Sequence, residues 1–325
     1  MNPRYFGFGA VLRFPVAATI LALAAACARA DDGAEKQQTE CVSRENTSAY
    51  ADARTCENQD TKQDSIEQGE RKRRTLFRSW LGLADRVQAS QPDWLSPLAT
   101  TSGRLKQEFR YDIWDQPSAG GNSTYQLGGN KGLEFITSSR TQLLLGIPTY
   151  TLVSPNGPPG AFGDLPLMLK VRIFSAERTE GNYLLTFILA ATAPTGSHRY
   201  GSGEGVVTPT LAFGKGWKRF DVQSTVGFNL PVASTTKLGR QIPWNTAFQV
   251  RAPWHLWPEL EANSTFFRTG KYAGNTQLFL TPGLGFGRFR FAGRSRFSFA
   301  AGMQIAATRF HTYDHRLLLS TRISF

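Results

Sequence analysis

The chain of 325 residues sets 37 Lys and Arg against 25 Asp and Glu, giving a net charge of +12 and a pI near 9.9, at a mean hydropathy of −0.30. Taken alone, the basic balance admits nucleic acid as a partner, but the first thirty residues read as an export signal, and an exported protein never meets the genome. There is no second long apolar run, so a helical membrane protein is excluded; a β-barrel is not, because its alternating strands average out as polar.

Arg4 and Arg13 lie in a positive start, Phe14 to Ala26 form an apolar run, and Ala28-Arg29-Ala30 precede Asp31 as a cleavage site. The run is about thirteen residues, against roughly twenty for a spanning helix, so residues 1–30 are expected to be removed. Ala24-Ala25-Ala26-Cys27 offers a second reading, a lipoprotein box that would acylate Cys27, weakened by Ala where such boxes carry Leu. Residues 31–102 are expected to be a polar periplasmic arm. Residues 31–70 hold almost no large apolar side chains and cannot repay the entropy of ordering. In an oxidising compartment Cys41 and Cys56 read as a local disulfide, free thiols being the alternative. No CxxC or Cys/His cluster exists, so neither a structural metal nor a cofactor is expected.

After the basic run Arg71 to Arg74, Leu76, Trp80, Leu83 and Val87 recur at helical spacing, with Phe77, Leu81 and Ala84 beside them. The predicted helix packs against a barrel rim; a membrane-surface anchor and a plug in the lumen are the alternatives. From Leu105 the period becomes two. Leu105, Phe109, Tyr111 and Ile113 share a face with Gln107, and Lys106, Glu108, Arg110 and Asp112 share the other. Leu165–Ile173, Gln241–Arg251 and Leu256–Phe267 repeat the pattern. In a soluble sandwich the apolar faces would meet in a core; in a membrane barrel they face lipid and the charges line the lumen. Run lengths of about nine to thirteen residues favour the barrel.

Twelve strands are predicted, near 105–113, 131–138, 141–153, 164–175, 183–194, 206–214, 219–231, 241–252, 256–268, 275–286, 296–307 and 315–325. The even count puts both ends on the periplasmic side. Long connections at 114–130, 154–163, 195–205 and 232–240 then face outward, short ones face inward, and 287–295 is an exception. Leu317, Leu319, Thr321, Ile323 and Phe325 share one face of the last strand. Its terminal Phe325 looks like the signal that barrel insertion machinery engages. Tyr111, Trp114, Trp217, Phe220, Trp254, Trp257, Phe289 and Phe291 are placed as girdles at the lipid–water interface.

The lumen face collects Lys106, Arg110, Lys170, Arg172, Arg251, Arg316 and Arg322 against Glu108, Asp112, Glu134, Asp221, Glu259 and Glu261. Seven bases near six acids can pair and fill a narrow barrel, or can line a water-filled path that orients a solute. No enzyme is expected. His198, His255, His311 and His315 lie in or beside connections, and none has the His-Ser-Asn-Gly context of outer-membrane phospholipase A. His311-Thr-Tyr-Asp-His315 lacks the helical spacing of zinc enzymes, and Gly196–Gly205 lacks the Lys-Ser/Thr and following helix of a phosphate cradle.

Phe162-Gly-Asp-Leu165, Ala193-Pro-Thr-Gly196, Thr208-Pro-Thr-Leu-Ala-Phe-Gly-Lys-Gly-Trp217 and Asn229-Leu-Pro231 are strand-and-turn motifs over residues 160–325. In them the second half of the chain resembles the outer-membrane barrels grouped under the MetA-pathway of phenol degradation, taken to be transporters. The Cys-bearing arm departs from that pattern. The resemblance implies a bacterial (Gram-negative) outer-membrane location and uptake of small, aromatic or hydrophobic solutes, and it supplies no site residues. The expectation is therefore an all-β, up-and-down antiparallel barrel over 103–325 whose partners are outer-membrane lipid and a small solute. It would act as a passive channel, with an outer-membrane lipid hydrolase or a plugged structural or adhesive barrel as alternatives.

Overall fold

The computed structural model describes Thr75 and residues 78–325, apart from 119, 130 and 234. They belong to the compact unit Arg73–Phe325, the other unit being Met1–Lys72. The export signal, Cys27 and the Cys41/Cys56 pair lie outside the described residues.

Helix α1 (78–89) comes first. There follow β1 (Glu108–Pro117), β2 (Ser123–Gly128), β3 (Gly132–Ile136), β4 (Thr141–Gly146), β5 (Tyr150–Ser154), β6 (Ala161–Phe162), β7 (Leu165–Ala176) and β8 (Tyr183–Ala193). The second half holds β9 (Val206–Trp217), β10 (Phe220–Gly227), β11 (Leu230–Pro231), the short helix α2 (Thr235–Leu238), β12 (Gln241–Val250), β13 (Leu256–Phe267), β14 (Thr276–Ala292), β15 (Ser295–Ala306) and β16 (His315–Ser324). Four wall positions are made of two successive pieces, β2 with β3, β4 with β5, β6 with β7 and β10 with β11, so the wall is a twelve-stranded antiparallel barrel closed by β1 on β16. The breaks have local causes. Gly128 and Gly129 take φ of +104° and +59°, and a Cβ on Gly129 would sit 2.7 Å from the Cβ of Asp112. Pro148, between β4 and β5, has no N–H for the ladder.

Connections 137–140, 177–182, 218–219, 251–255 and 293–294 share a rim with the start of β1 and the end of β16, here the terminal rim. Connections 118–122, 155–160, 194–205, 232–240, 268–275 and 307–314 form the opposite, loop rim. Two predicted connections shrink. The one at 114–130 becomes 118–122, because β1 runs on to Pro117 and β2 begins at Ser123. The exception at 287–295 becomes the two residues Gly293 and Arg294, since β14 extends to Ala292 through register shifts against β15.

Large apolar side chains stand exposed around the outside of the wall, among them Leu145, Leu167, Phe213, Trp244, Phe248, Leu260, Leu280 and Ile305. The alternate positions are buried and polar, including Glu134, Gln142, Lys170, Asp221, Gln223, Gln249, Glu261 and Arg322. Two girdle assignments are corrected. Trp257 shares the parity of Glu259 and Glu261 and is buried, and Trp114 shares that of Arg110 and Asp112 and packs beside Leu98, Ala300 and Leu318. Register decides their side, and residue type does not. Trp217, Phe220, Trp254 and Phe289 are exposed.

The sequence begins the first strand at Leu105, but the chain joins the wall only at Glu108, so Leu105 and Gln107 are fully buried instead of facing outward. Leu105 packs with Ala84 and Val87 of α1 and with Ile136. Trp80 Nε1 donates to Ile136 O (2.6 Å), and Asp85 meets Arg294 (2.5 Å) across the barrel, which lays α1 over the terminal rim.

Candidate functional site

Between α1 and β1 the chain does not cross open solvent; it turns into the barrel. Residues 91–106, most of which the sequence assigns to an arm outside the barrel, run within it with all but Asp93 wholly or partly buried, including Gln91, Trp94, Leu95, Leu98, Thr100 and Arg104. This stretch belongs to no helix and no sheet, so each of its buried amides and carbonyls needs another partner. The charged wall provides them. Glu261 accepts from Ala99 N (2.8 Å), Thr100 N (2.6 Å) and Thr100 Oγ1 (2.5 Å). Arg110 donates to Pro97 O (3.1 Å) and Leu98 O (2.6 Å), and Arg322 donates to Ser96 O and Pro97 O. Gln223 donates to Leu95 O (3.0 Å), Thr186 to Gly103 O (2.7 Å), and Arg104 reaches Trp94 O within the segment. Charge-assisted bonds of this kind are about twice as strong as neutral ones.

Packing fits the same segment. A Cβ on Gly283 or on Gly302 would lie 2.6 Å from Leu98 Cδ1; one on Gly285 would lie 2.3 Å from Leu95 Cδ2, and one on Gly214 2.5 Å from Trp94 Cζ3. The wall is notched with glycine where the segment's large side chains press on it.

The thirteen residues singled out from the sequence separate into groups. Lys106 meets Glu108 (2.7 Å) and Glu134 (3.5 Å), and Lys170 meets Glu134 (3.1 Å) and Arg104 O (3.4 Å). Arg110 holds Asp112 at 2.8 Å besides its two carbonyls. In the register Arg110 stands directly opposite Arg322 across the β1–β16 seam. Glu259 accepts from Gln249 (2.6 Å), and Asp221 from Gln223 (3.1 Å). Three lie apart. Arg172 is at the terminal rim on Val87 O, Ser90 Oγ and Ser139 O. Arg251, one residue beyond β12, is half-exposed against Trp257, 3.5 Å from Asp93. Arg316 lies in the loop half. The segment's Arg104, outside the strands, has its pKa lowered to about 10 by burial, which Glu108 and Asp221 oppose.

Sequence reasoning missed the amides that knit these charges together. Gln142 donates to Glu134 (2.5 Å) and accepts from Lys106 N (2.5 Å), and Gln107 accepts from Ile136 N (3.0 Å). Gln304 donates to Asn263 (2.8 Å) and accepts from Arg316 Nε (2.7 Å). Gln142, Gln223, Gln249 and Gln304 share the inward parity of the charged set, the signal that would have found them.

Water-accessible space remains on both sides of the segment. Toward the loop rim lie a cavity of about 180 Å³ bordered by Thr101, Met168, Ile188 and Asn245, and one of about 490 Å³ bordered by Trp114, Gln126, Tyr200 and Arg316. Toward the terminal rim a chamber of about 380 Å³ is bordered by Arg104, Glu108, Arg288, Arg296, Arg322 and Phe325.

Among the described residues no histidine hydrogen-bonds a serine, and no group of three His, Cys, Asp or Glu could hold a metal ion. His311 places Nε2 2.9 Å from Asp314 and Nδ1 2.9 Å from Thr308 O.

No family model matches the chain, and no curated protein does. A solved outer membrane channel from Pseudomonas putida F1 is similar at 13% identity and a TM-score of 0.47, over 71% of this chain and 100% of that one.

Proposed function

We propose that the protein is an outer-membrane channel for small solutes, held shut by its own residues 91–106, and a conduit instead of an enzyme. The observation that carries this reading is a buried, sheetless segment fixed by side-chain hydrogen bonds between two water-accessible chambers. A purely structural barrel gains nothing from space on both sides of its filling. The exposed apolar belt supports a bilayer as the solvent of the outer wall, since a closed barrel is the one sheet that lipid tolerates. Lipid is then the first partner. Phe325 lies at the terminal rim with its N–H on Gln107 O (3.1 Å). The resemblance of residues 160–325 to outer-membrane transporters points toward uptake of small aromatic or hydrophobic solutes.

Single-channel recording of residues 31–325 in a planar bilayer tests it. The expected record shows rare, brief steps that grow with salt, and Glu261→Gln, which weakens the clamp on Ala99 and Thr100, lengthens the open time several-fold. Silence in both proteins, each shown to be folded by heat-modifiable migration, would overturn the channel and leave a plugged structural barrel.

A further inference from the structure

Arg316 is held differently from the cations of the terminal half. It opens β16 on the inward parity of Leu318 and Arg322, with its guanidinium carbon 3.9 Å from the ring centre of Trp114 and 4.7 Å from that of Tyr313. Its Nε donates to Gln304 Oε1 (2.7 Å), the same oxygen that accepts from Tyr313 OH (2.5 Å). Two rings and one amide thus fix the plane of the guanidinium. Among the described residues Arg316 forms no ion pair and donates to no backbone carbonyl, whereas Lys106, Arg110 and Lys170 pair with acids and Arg104 and Arg322, likewise without an ion pair, hold carbonyls of the inner segment. Its two terminal nitrogens have no protein acceptor there, and the side chain borders the 490 Å³ cavity of the loop half.

We propose that this cavity is a binding subsite for a small monocarboxylate, with the Arg316 fork taking both carboxylate oxygens. The inference rests on the channel reading for its purpose, but its chemistry stands on the site. A planar fork held by stacking is pre-organised for a bidentate carboxylate, and a desolvated guanidinium without an acid gains most from one. Gln126, Thr151 and Tyr200 supply polar groups around it, and Tyr200 OH has no hydrogen-bond partner among the described residues. Asp164 borders the same cavity, four strands round the wall from β16. Burial raises its pKa, but bonds from Ser202 Oγ (2.5 Å), Ser202 N (2.8 Å) and Gly196 N (2.9 Å) outweigh this and hold the carboxyl below the usual carboxylate range. Arg316 is the one cation among the residues bordering the cavity, and with Asp164 fixed as an anion on another part of its wall a second carboxylate on the ligand is disfavoured.

Trp114, in contact with the guanidinium, reports on the site. The folded full chain in detergent is titrated with butyrate, with butyramide as the neutral twin, following tryptophan fluorescence. Butyrate is expected to give a saturating change and butyramide none. Arg316→Gln weakens butyrate at least tenfold. Arg316→Lys, which keeps the charge and loses the fork, weakens it several-fold. Equal responses to the two probes, or undiminished butyrate binding in folded Arg316→Gln, would overturn the subsite. Binding is read without conduction, so a silent bilayer with intact butyrate binding sinks the channel alone, and a conducting protein deaf to butyrate sinks the subsite alone.

Discussion

The two halves of the barrel interior are lined by the same alternation of inward polar residues, but in one a chain segment takes up their charges and in the other none does. In the terminal half, Glu134, Glu261, Arg110 and Arg322 are spent on one another and on the backbone of residues 91–106. In the loop half, Arg316 stands over a cavity with neither an acid nor a peptide group to hold. What separates a structural charge from an available one is therefore whether a chain segment brings amides and carbonyls to it. Burial alone does not make that distinction, because Arg316 is largely covered as well.

The sharpest way to break the filled half is to strand its charges. Glu134→Ala leaves Lys106 and Lys170 buried without their shared acid, and urea unfolding in detergent should show a loss of about 3–5 kcal/mol. Leu98→Ala empties the notch formed by Gly283 and Gly302 and should lower stability by about 3 kcal/mol; because Leu98 also packs beside Trp114, weaker butyrate binding in the same variant would show that the two halves communicate through that ring, and unchanged binding that they do not. Gly302→Val fills the notch from the wall side. The overpacking should cost about 1–3 kcal/mol and, by displacing Leu98, raise bilayer conductance. Asp85→Ala removes the exposed pair with Arg294 that ties α1 to the rim, and here the unfolding midpoint should move by less than about 1 kcal/mol. The smallest effect belongs to His311 in the last loop. Its bond to Thr308 O, and next its bond to Asp314, raise its pKa above the ordinary value. Loop order is then fully present below the unfolded pKa and fades as pH rises through the folded one, which an NMR titration of the ring should show as a midpoint above 6.5.

The wall was legible because a strand's period of two fixes which side each residue faces. Twelve strands and the inward set from Lys106 to Arg322 follow from it, and so would the inward placement of Trp257 and the amides Gln223 and Gln249, had parity been preferred to residue type. The segment 91–106 was not legible. It holds Pro92, Pro97, Ser96, Thr100 and Ser102, the composition of a linker, and it has no period because its partners come from many strands instead of one neighbour. The glycine notches were invisible for the same reason, since Gly283 and Gly302 acquire meaning only beside Leu98. Arg316 was found from the sequence as one charge among thirteen; its isolation emerged only when the others were seen to be taken.

One bond pattern bears on how such a molecule is put together. Pro97 O accepts from Arg110 on the first strand and from Arg322 on the last, two arginines that the register sets face to face. Like charges directly opposed resist pairing, and Arg110 and Arg322 meet at the junction that completes the cylinder. The carbonyls of residues 96–98 relieve that repulsion from inside. The chain thus carries its own clasp: the same residues that obstruct the passage also quiet the opposed charges where the circle closes.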